Sequence, residues 1–333
     1  MLCRAGSHIA VTSVTKGMDD GFCWEGATFT GILYPSFTQG VSIMNRRSFV
    51  TRAAVASMAM GIPGIGLAQS KKPNLKIAVK YGMIRAGNTP LEKLQLAKKL
   101  GIEGVEVDSP SGLDKEAAKK AAAETGVKIH GVIDSVHWRD TLSSPEADVR
   151  EKGLKALVGA IEDAKFFGAD TVLLVPGVAR NGVTYEQCYE RSQAEVRKAL
   201  PAAEKHNIKI CIETVWNDFI TKPEQLVSYI DDFKSPFVAA YFDCSNMIKY
   251  GVSSAEWIRK LGKRLAKFDF KGYSNTKKWC AIGEGDEDWP EVLKALGEVG
   301  YNGWATSEVG GGGEKELADV VARMRKVLEL PKA

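Results

Sequence analysis

From Asn74 onward, short apolar runs alternate with longer segments in which apolar residues recur every three or four positions. Short continuous apolar runs are typical of buried strands, and the longer spacing is typical of helices that bury one face. The short runs predict eight strands, at Leu75–Val79, Gly104–Val107, Lys128–Ile133, Thr171–Val175, Ile208–Ile212, Val238–Phe242, Leu265–Phe270 and Gly303–Ser307.

A helical pattern follows each predicted strand, and glycine or proline often marks its boundary. Gly101 and Gly168 end two of these helices, and Pro223 stands in the first turn of another, as helix ends and starts prefer. The predicted helices are Pro90–Leu100, Asp114–Thr125, Pro145–Phe167, Tyr185–His206, one that begins at Pro223, Ser254–Leu261, Trp289–Gly297 and Glu314–Leu328.

Eight strand-then-helix units in unbroken order predict a parallel sheet with right-handed crossovers. Eight is also the number of strands that closes, so the predicted fold class is α/β, a single-domain (β/α)8 TIM barrel. The alternative is an open doubly wound sheet. That fold usually has a glycine-rich phosphate turn after its first strand, and the sequence KYGM at 80–83 is not such a turn.

Four carboxylates stand at the ends of consecutive predicted strands: Glu213, Asp243, Asp269 and Glu308. In a parallel barrel the C-terminal ends of all strands open on one face, where active sites of this architecture lie. We therefore expect the four side chains to converge on one arc of the rim. The alternative is that they are unrelated acids, each of which returns its own strand to water.

Carboxylates crowded at one mouth repel one another unless positive charge lies between them. A divalent cation held by all four is the simplest source of that charge, and all-oxygen ligation favours Mn²⁺, Mg²⁺ or Ca²⁺ over Zn²⁺. Lys271 is a second source. It lies two residues beyond Asp269 and is expected to project to the same side of the strand.

The first 68 residues are predicted to lie outside the barrel. Arg46 and Arg47 are followed by the uncharged run 53–67 and by small residues at 66–68, the pattern of a bacterial twin-arginine (Tat) export signal. We expect a signal peptide at 44–68, a barrel domain at 69–333 and a periplasmic protein that meets the Tat machinery. Residues 1–43 show no clear period, and we expect an upstream misread start or a disordered extension.

The alternative for the run 53–67 is a membrane anchor. The run is shorter than the roughly 20 apolar residues of a span and contains Pro63, so no stable anchor is expected. Without residues 1–68 the chain loses five basic and three acidic residues, and its net charge falls from +4 to +2. This charge is too small for a nucleic-acid footprint. The four remaining cysteines form no CxxC pair, and we expect free thiols.

Several runs resemble the xylose-isomerase-like sugar isomerase/epimerase superfamily, across essentially the whole barrel. They are HWRDTLSSPEADVREKGLKALVGAIEDAKFFGADTVLLVPG (137–177), IETVWNDF (212–219), SPFVAAYFDCSN (235–246) and GEGDEDWPEVLKALGEVGYNGWATSE (283–308). The resemblance implies a TIM barrel that holds Mn²⁺ or a similar ion with Glu, Asp, His and Glu. It implies that Glu213 and Glu308 are the acid/base pair and that Asp243 is a metal ligand.

Two positions depart from the pattern of that family. Asp269 stands where the ligand of strand 7 is commonly His, and Asn246 stands where His often follows the Asp of strand 6. Asp269 thus adds negative charge where a neutral imidazole usually lies. Mn²⁺ is the first expectation. The alternatives are a harder ion such as Mg²⁺ or Ca²⁺, partial replacement of the cation's charge by Lys271, or a metal-free site.

The chemistry implied is abstraction of a proton from a carbon next to a carbonyl, with one glutamate removing the proton and the other returning it. The leading hypothesis is an isomerase or epimerase of an unphosphorylated carbohydrate, because phosphorylated sugars are mainly cytoplasmic and export is expected. The alternatives are a periplasmic keto-glycoside lyase or hydratase that uses the same site, and a non-catalytic carbohydrate-binding barrel. An oligomer is left open.

Further residues near the predicted rim are candidates for substrate binding. Trp216 offers a face to a sugar or packs in the core. The two asparagines offer amides to hydroxyl groups or cap their own loops. The glycines at 310–313 follow strand 8, where barrels often bind phosphate, and we expect a flexible turn without a ligand. The candidates are Lys80, Glu106, His137, Trp138, Trp216, Asn217, Asn246 and Lys271.

Overall fold

The computed structural model describes residues 71–331, in which eight parallel strands close into a barrel. Each strand pairs with its neighbours in sequence, and the last returns to pair with the first. This confirms the (β/α)8 barrel and excludes the open sheet. The strands are β1 (Leu75–Lys80), β2 (Gly104–Ser109), β3 (Lys128–Asp134), β4 (Thr171–Leu174), β5 (Lys209–Glu213), β6 (Val238–Asp243), β7 (Leu265–Phe270) and β8 (Gly303–Ser307).

One principal helix follows each strand. Most predicted boundaries are within two residues of these, and the predicted signal peptide and extension lie outside the described residues. None of the helices within 71–331 combines the length and apolarity that a bilayer crossing requires. The helices are α1 (Pro90–Lys99), α2 (Lys115–Thr125), α3 (Ala147–Phe167), α4 (Tyr185–His206), α5 (Pro223–Asp231), α6 (Ser254–Leu261), α7 (Trp289–Glu298) and α8 (Glu314–Val327).

The inside of the barrel is lined by a small apolar cluster and by buried charge. Leu173, Cys211, Ala239 and Tyr241 pack together inside the ring of strands, while the main core lies between strands and helices. The four cysteines of this region are free thiols, as predicted. Inward-facing side chains that fill a barrel in layers leave no channel through it.

A buried polar network continues below the rim. Lys267 is only 2% exposed, and its Nζ donates to the His130 carbonyl at 3.1 Å and to Asp170 Oδ1 at 2.8 Å. The His130 ring stacks on Trp304, with 4.3 Å between ring centroids. Burial holds the pKa of His130 well below its usual value, and Lys267 lowers it further. His130 is therefore a neutral residue packed inside the barrel.

The sequence did not predict a short hairpin that follows β7. Residues Tyr273–Ser274 pair with Lys278–Trp279 as antiparallel strands. Gly272 opens this hairpin because its backbone lies against the carbonyls of residues 280 and 281, where a Cβ would overlap them. The segment is too short and too polar for a strand pattern to stand out. It nevertheless places an aromatic side chain over the rim.

The glycines that follow β8 are bound to the chain after β1 and do not form a free turn. Gly312 donates from its N–H to the Met83 carbonyl at 3.0 Å and accepts from the Arg85 N–H at 3.0 Å. A Cβ at Gly311 would overlap the Met83 carbonyl. The expectation of a flexible turn is therefore corrected, since glycine here permits a close backbone approach.

Two glycines of α3 provide a matched test of this packing. A Cβ at Gly153 would overlap the Asp140 carbonyl in the loop after β3, whereas Gly159 has nothing within 4 Å of that position. Gly153→Ala should lower the free energy of unfolding by about 1–3 kcal/mol through overpacking. Gly159→Ala should raise it by about 0.5–1 kcal/mol through helix propensity. Urea unfolding measures both, and equal effects of the two substitutions would contradict the tight contact.

Candidate active site

The four predicted carboxylates converge on one side of the rim. One oxygen from each of Glu213, Asp243, Asp269 and Glu308 lies within 4.8 Å of one from every other. Strand register brings them together, because Asp243 and Asp269 are paired residues of adjacent strands. Asp243 and Asp269 are fully buried and Glu213 is 5% exposed, whereas the Glu308 side chain is 45% exposed. The expected convergence is confirmed.

Lys271 lies among these carboxylates, as its position two residues beyond Asp269 predicted. Its Nζ contacts Asp243 Oδ2 and lies 2.7 Å from Glu308 Oε2. Burial alone would lower the pKa of Lys271, but Asp243 and Glu308 outweigh it and hold the pKa above its usual value. Lys271 is therefore a cation at neutral pH.

Lys80 is a second buried cation at the cluster. Its Nζ lies 2.9 Å from Asp269 Oδ2 and 2.7 Å from Glu106 Oε2, and donates to the Tyr241 hydroxyl at 3.2 Å. Burial opposes its charge, but Asp269 and Glu106 outweigh burial and raise the pKa of Lys80 well above its usual value. Lys80 thus brings a counter-charge to the residue that departs from the family pattern.

Glu106 was a candidate for substrate contact, and the structure places it elsewhere. It is 1% exposed and lies beneath Lys80, where it also accepts from the Tyr241 hydroxyl at 2.8 Å. It is not among the residues that line the rim pocket. Glu106 therefore holds Lys80 in place and does not line the pocket. The sequence could not show this, because the contacts join side chains from three separate strands.

The cluster fits a divalent cation. When all four carboxylates are ionised they carry four negative charges, whereas Lys80 and Lys271 supply only two positive ones, and Glu106 shares Lys80, so a net negative charge remains. Asp269 Oδ2 is buried and receives no directed hydrogen bond, despite its ion contact with Lys80. An all-oxygen donor set of this charge suits a hard divalent ion such as Mn²⁺ or Mg²⁺. Glu213, Asp243, Asp269 and Glu308 are the residues that would hold it.

The two glutamates differ in their electrostatic surroundings. Burial, and then the charge of Glu308, raises the pKa of Glu213 well above its usual value. Burial acts in the same direction on Glu308, but Lys271 and Lys80 outweigh it and hold the pKa of Glu308 below its usual range. Environments that push apart the pKa values of two carboxyl groups assign one as acid and the other as base.

A pocket of about 260 Å³ opens above the carboxylates. Its walls include Glu213 and Glu308 together with apolar residues from β3 and β4. It brings together six of the eight residues predicted to bind substrate, which are Lys80, His137, Trp138, Trp216, Asn246 and Lys271.

Asn217 is not among the lining residues. It is fully buried, donates from Nδ2 to the Gly177 carbonyl at 2.9 Å and accepts at Oδ1 from the N–H groups of Phe219 and Ile220. Its amide oxygen and one of its two N–H groups are therefore bound to neighbouring backbone. Asn217 caps its own loop, the alternative to substrate binding that the sequence left open.

His137 lies in the pocket wall as a neutral donor. The Val175 N–H donates to its Nδ1 at 3.2 Å, so Nδ1 carries no proton and Nε2 does. Burial lowers the pKa of His137 to about 4, with Lys80 acting in the same direction and Glu308 opposing it. At neutral pH the Nε2–H is therefore available to an oxygen in the pocket.

The aromatic side of the pocket contains a residue that the sequence did not single out. Trp279, from the hairpin after β7, stacks on Trp216 with 5.0 Å between centroids. The Trp216 indole donates to the Asn246 carbonyl at 2.7 Å, and Asn246 Nδ2 donates to the Thr214 carbonyl at 3.0 Å. No local pattern marks Trp279, because only the hairpin brings it to the rim.

Comparisons with known proteins agree with this geometry. L-ribulose-5-phosphate 3-epimerase UlaE of Escherichia coli O1:K1 / APEC is 26% identical over 256 residues, which cover 72% of this chain and 89% of UlaE. The crystal structure of 3-keto-D-glucoside 4-epimerase YcjR from E. coli superposes with a TM-score of 0.65 at 16% identity, over 76% of this chain and 99% of YcjR.

A third comparison concerns a metal-bound barrel. The structure of the IOLI protein with a binding zinc atom has a TM-score of 0.66 at 15% identity, and the match covers 77% of this chain and 98% of that one. At such identity the two structural matches show the shared fold.

The profile of one family, the xylose isomerase-like TIM barrel, matches residues 94–327. The matched segment runs from α1 to the end of α8 and includes all four carboxylates. With an epimerase among its relatives, the protein is an enzyme of the isomerase and epimerase type. The chain belongs to the xylose isomerase-like TIM barrel family.

Proposed function

We propose that this enzyme moves a proton at a carbon next to the carbonyl of an unphosphorylated carbohydrate, with a divalent cation, Mn²⁺ in the first instance, at the carboxylate cluster. The observation that carries the proposal is the position of Glu213 and Glu308 on either side of two buried aspartates, at the floor of an open pocket. The curated relative is an epimerase of a keto-sugar phosphate, which supports the reaction type.

The residues of the pocket divide the work. One of Glu213 and Glu308 removes the proton, and the other returns one. Delivery to the same carbon from the opposite face inverts it and gives an epimer, and delivery to the neighbouring carbon gives an isomer. His137 Nε2–H donates to a substrate oxygen. When bound, the cation would polarise the carbonyl and stabilise the negative charge that develops on its oxygen.

The loop after β8 favours a substrate without phosphate. Barrels commonly hold phosphate at this loop and at the start of the helix that follows it. Here the Gly312 N–H is bound to the Met83 carbonyl, and the Gly313 N–H donates to Glu316 Oε2 at 3.0 Å. The Glu316 carboxylate at the start of α8 repels a phosphate. The N–H groups of Gly312 and Gly313 are already bound and cannot donate to it.

Replacing the carboxyl group of either glutamate with an amide should slow proton transfer. Glu213→Gln and Glu308→Gln should each lower the rate by about 10²–10⁴-fold, since general acid–base catalysis supplies a factor of that size, while circular dichroism shows a folded barrel. NMR in D₂O measures deuterium uptake next to the carbonyl across a panel of free and phosphorylated keto-sugars. Glu186→Gln, exposed at the start of α4, is the control.

The proposal fails if the unmodified protein exchanges no such proton with any sugar of the panel. It also fails if both glutamine variants keep the full rate. Exchange with the phosphorylated sugars alone would overturn the inference drawn from the loop after β8 and leave the proton transfer itself intact.

The charge balance of the cluster makes a separate prediction about the cation. Asp269→Asn replaces an anionic ligand oxygen with a neutral amide oxygen, so Mn²⁺ should bind at least tenfold more weakly by isothermal titration calorimetry, because affinity for a hard cation depends on the number of charged ligands. Asp319→Asn, on the exposed face of α8, should bind as the unmodified protein does. Unmodified protein that binds neither Mn²⁺ nor Mg²⁺ would refute the cation and leave the glutamates to be tested alone.

We also propose that the protein is exported to the periplasm by the Tat route. The support is the pair Arg46–Arg47, the uncharged run after it and the small residues at 66–68. Replacing both arginines with lysine in the full chain should keep the protein in the cytoplasmic fraction. Mass spectrometry of the exported protein should find a mature N-terminus near Gln69. An exported form that retains Trp24 would refute both the processing and the predicted start.

A further inference from the structure

Two large hydrophobic side chains stand out in residues 71–331 because they remain half exposed. They are Trp138, which is 49% exposed, and Trp279, which is 50% exposed. Both line the mouth of the rim pocket. Exposed apolar surface that coincides with the opening of a pocket usually marks a binding site.

The two tryptophans come from the loops after two different strands. Trp138 follows β3, and Trp279 belongs to the hairpin after β7. In the closed ring three strands separate β3 from β7 in either direction. The C-terminal ends of diametrically opposed strands face each other across a barrel. Trp279 does not stay above β7, because it stacks on Trp216 from the loop after β5. Both indoles line the same pocket.

Both indoles are held in place without a ligand. Trp279 stacks on Trp216 at 25° between ring planes and packs edge-on against Tyr273 at 5.0 Å. Trp138 packs edge-on against His137 at 5.8 Å, and the turn that carries it is closed by the Asp140 N–H bonded to the Val136 carbonyl. Rigid aromatic surfaces lose little side-chain entropy when a ligand is bound.

The pocket itself has room for little more than one sugar ring. Its volume is about 260 Å³, below the roughly 300–1,000 Å³ of pockets that enclose drug-sized ligands. Its floor carries the charged groups, while its mouth carries the two indoles. A substrate with a second ring must place that ring at the mouth, where its C–H faces meet aromatic faces.

We propose that Trp138 and Trp279 form an outer subsite for a second pyranose ring, so that the substrate is a glycoside whose reacting keto-sugar ring lies over the carboxylates. The inference builds on the proposed function and names its substrate class. Lys271, His137 and the two glutamates bind the reacting ring. The second ring is recognised by contact with the indoles, which accept any pyranose of suitable size.

The test compares two probes, a keto-hexose and a keto-disaccharide that carries the same reacting ring. Unmodified protein should show a higher kcat/KM for deuterium exchange with the disaccharide. Trp138→Ala and Trp279→Ala should each lower the disaccharide-to-hexose ratio of kcat/KM by about tenfold, the size of effect that loss of a buried aromatic contact produces, mainly through KM. Trp279→Phe should restore part of the ratio.

Phe166→Ala is the control variant, because Phe166 is a half-buried aromatic side chain at the end of α3, outside the pocket. It should leave the ratio unchanged. Equal kcat/KM values for the two probes in unmodified protein, or tryptophan variants that leave the ratio unchanged, would overturn the outer subsite. The same holds if sedimentation shows a dimer that the tryptophan variants dissociate, since the indoles would then be covered by a second copy.

A binding measurement separates this proposal from the catalytic one. Isothermal titration calorimetry of Glu213→Gln with both probes reports affinity without turnover. Tighter binding of the disaccharide that is lost in the double variant with Trp279→Ala supports the subsite even if no sugar exchanges a proton, a result that would refute only the proposed reaction. Equal binding of the two probes refutes the subsite, whatever the exchange experiment shows.

Discussion

The arrangement depends on the compensation of buried negative charge at the rim. Four carboxylates share a space in which their oxygens lie within 4.8 Å of one another, and ions so close in a poorly solvated region repel strongly. Lys271 reaches Asp243 and Glu308 from just beyond β7, and Lys80 reaches Asp269 from the end of β1. Side chains from the first strand and from the last two strands therefore have to meet before the repulsion among the carboxylates is offset. The site thus depends on closure of the barrel.

The sequence predicted the barrel well because its signals are local. Apolar runs, helix stops and turn residues determine each element within a few neighbours, and consecutive parallel strands leave one simple topology. The convergence of the four carboxylates could be predicted in the same way, because an acid at the C-terminal end of a barrel strand lies on the one face where active sites are found. Even the side of β7 that Lys271 occupies follows from the alternation along a strand.

The remaining features depend on contacts between distant residues. Lys80 and Asp269 are 189 positions apart, and no local pattern shows that one neutralises the other. The sequence places Asn217 at the rim as a candidate for substrate binding, yet its amide donates to the Gly177 carbonyl of another loop. Trp279 lies in a hairpin of two-residue strands, below the length at which periodicity has meaning. In each case a contact between residues far apart in sequence, and not the local pattern, determines what the side chain does.

The hairpin after β7 gives the pocket an aromatic wall that is separate from its charged floor. It contributes an aromatic wall, but none of the carboxylates or ammonium groups of the floor lies in it, since those come from strands and strand ends. Insertions, deletions and exchanges are tolerated best in such exposed connections. The scaffold is thus modular, because substitutions at a few surface positions of the hairpin change the aromatic wall of the pocket and leave the carboxylates and lysines of its floor untouched.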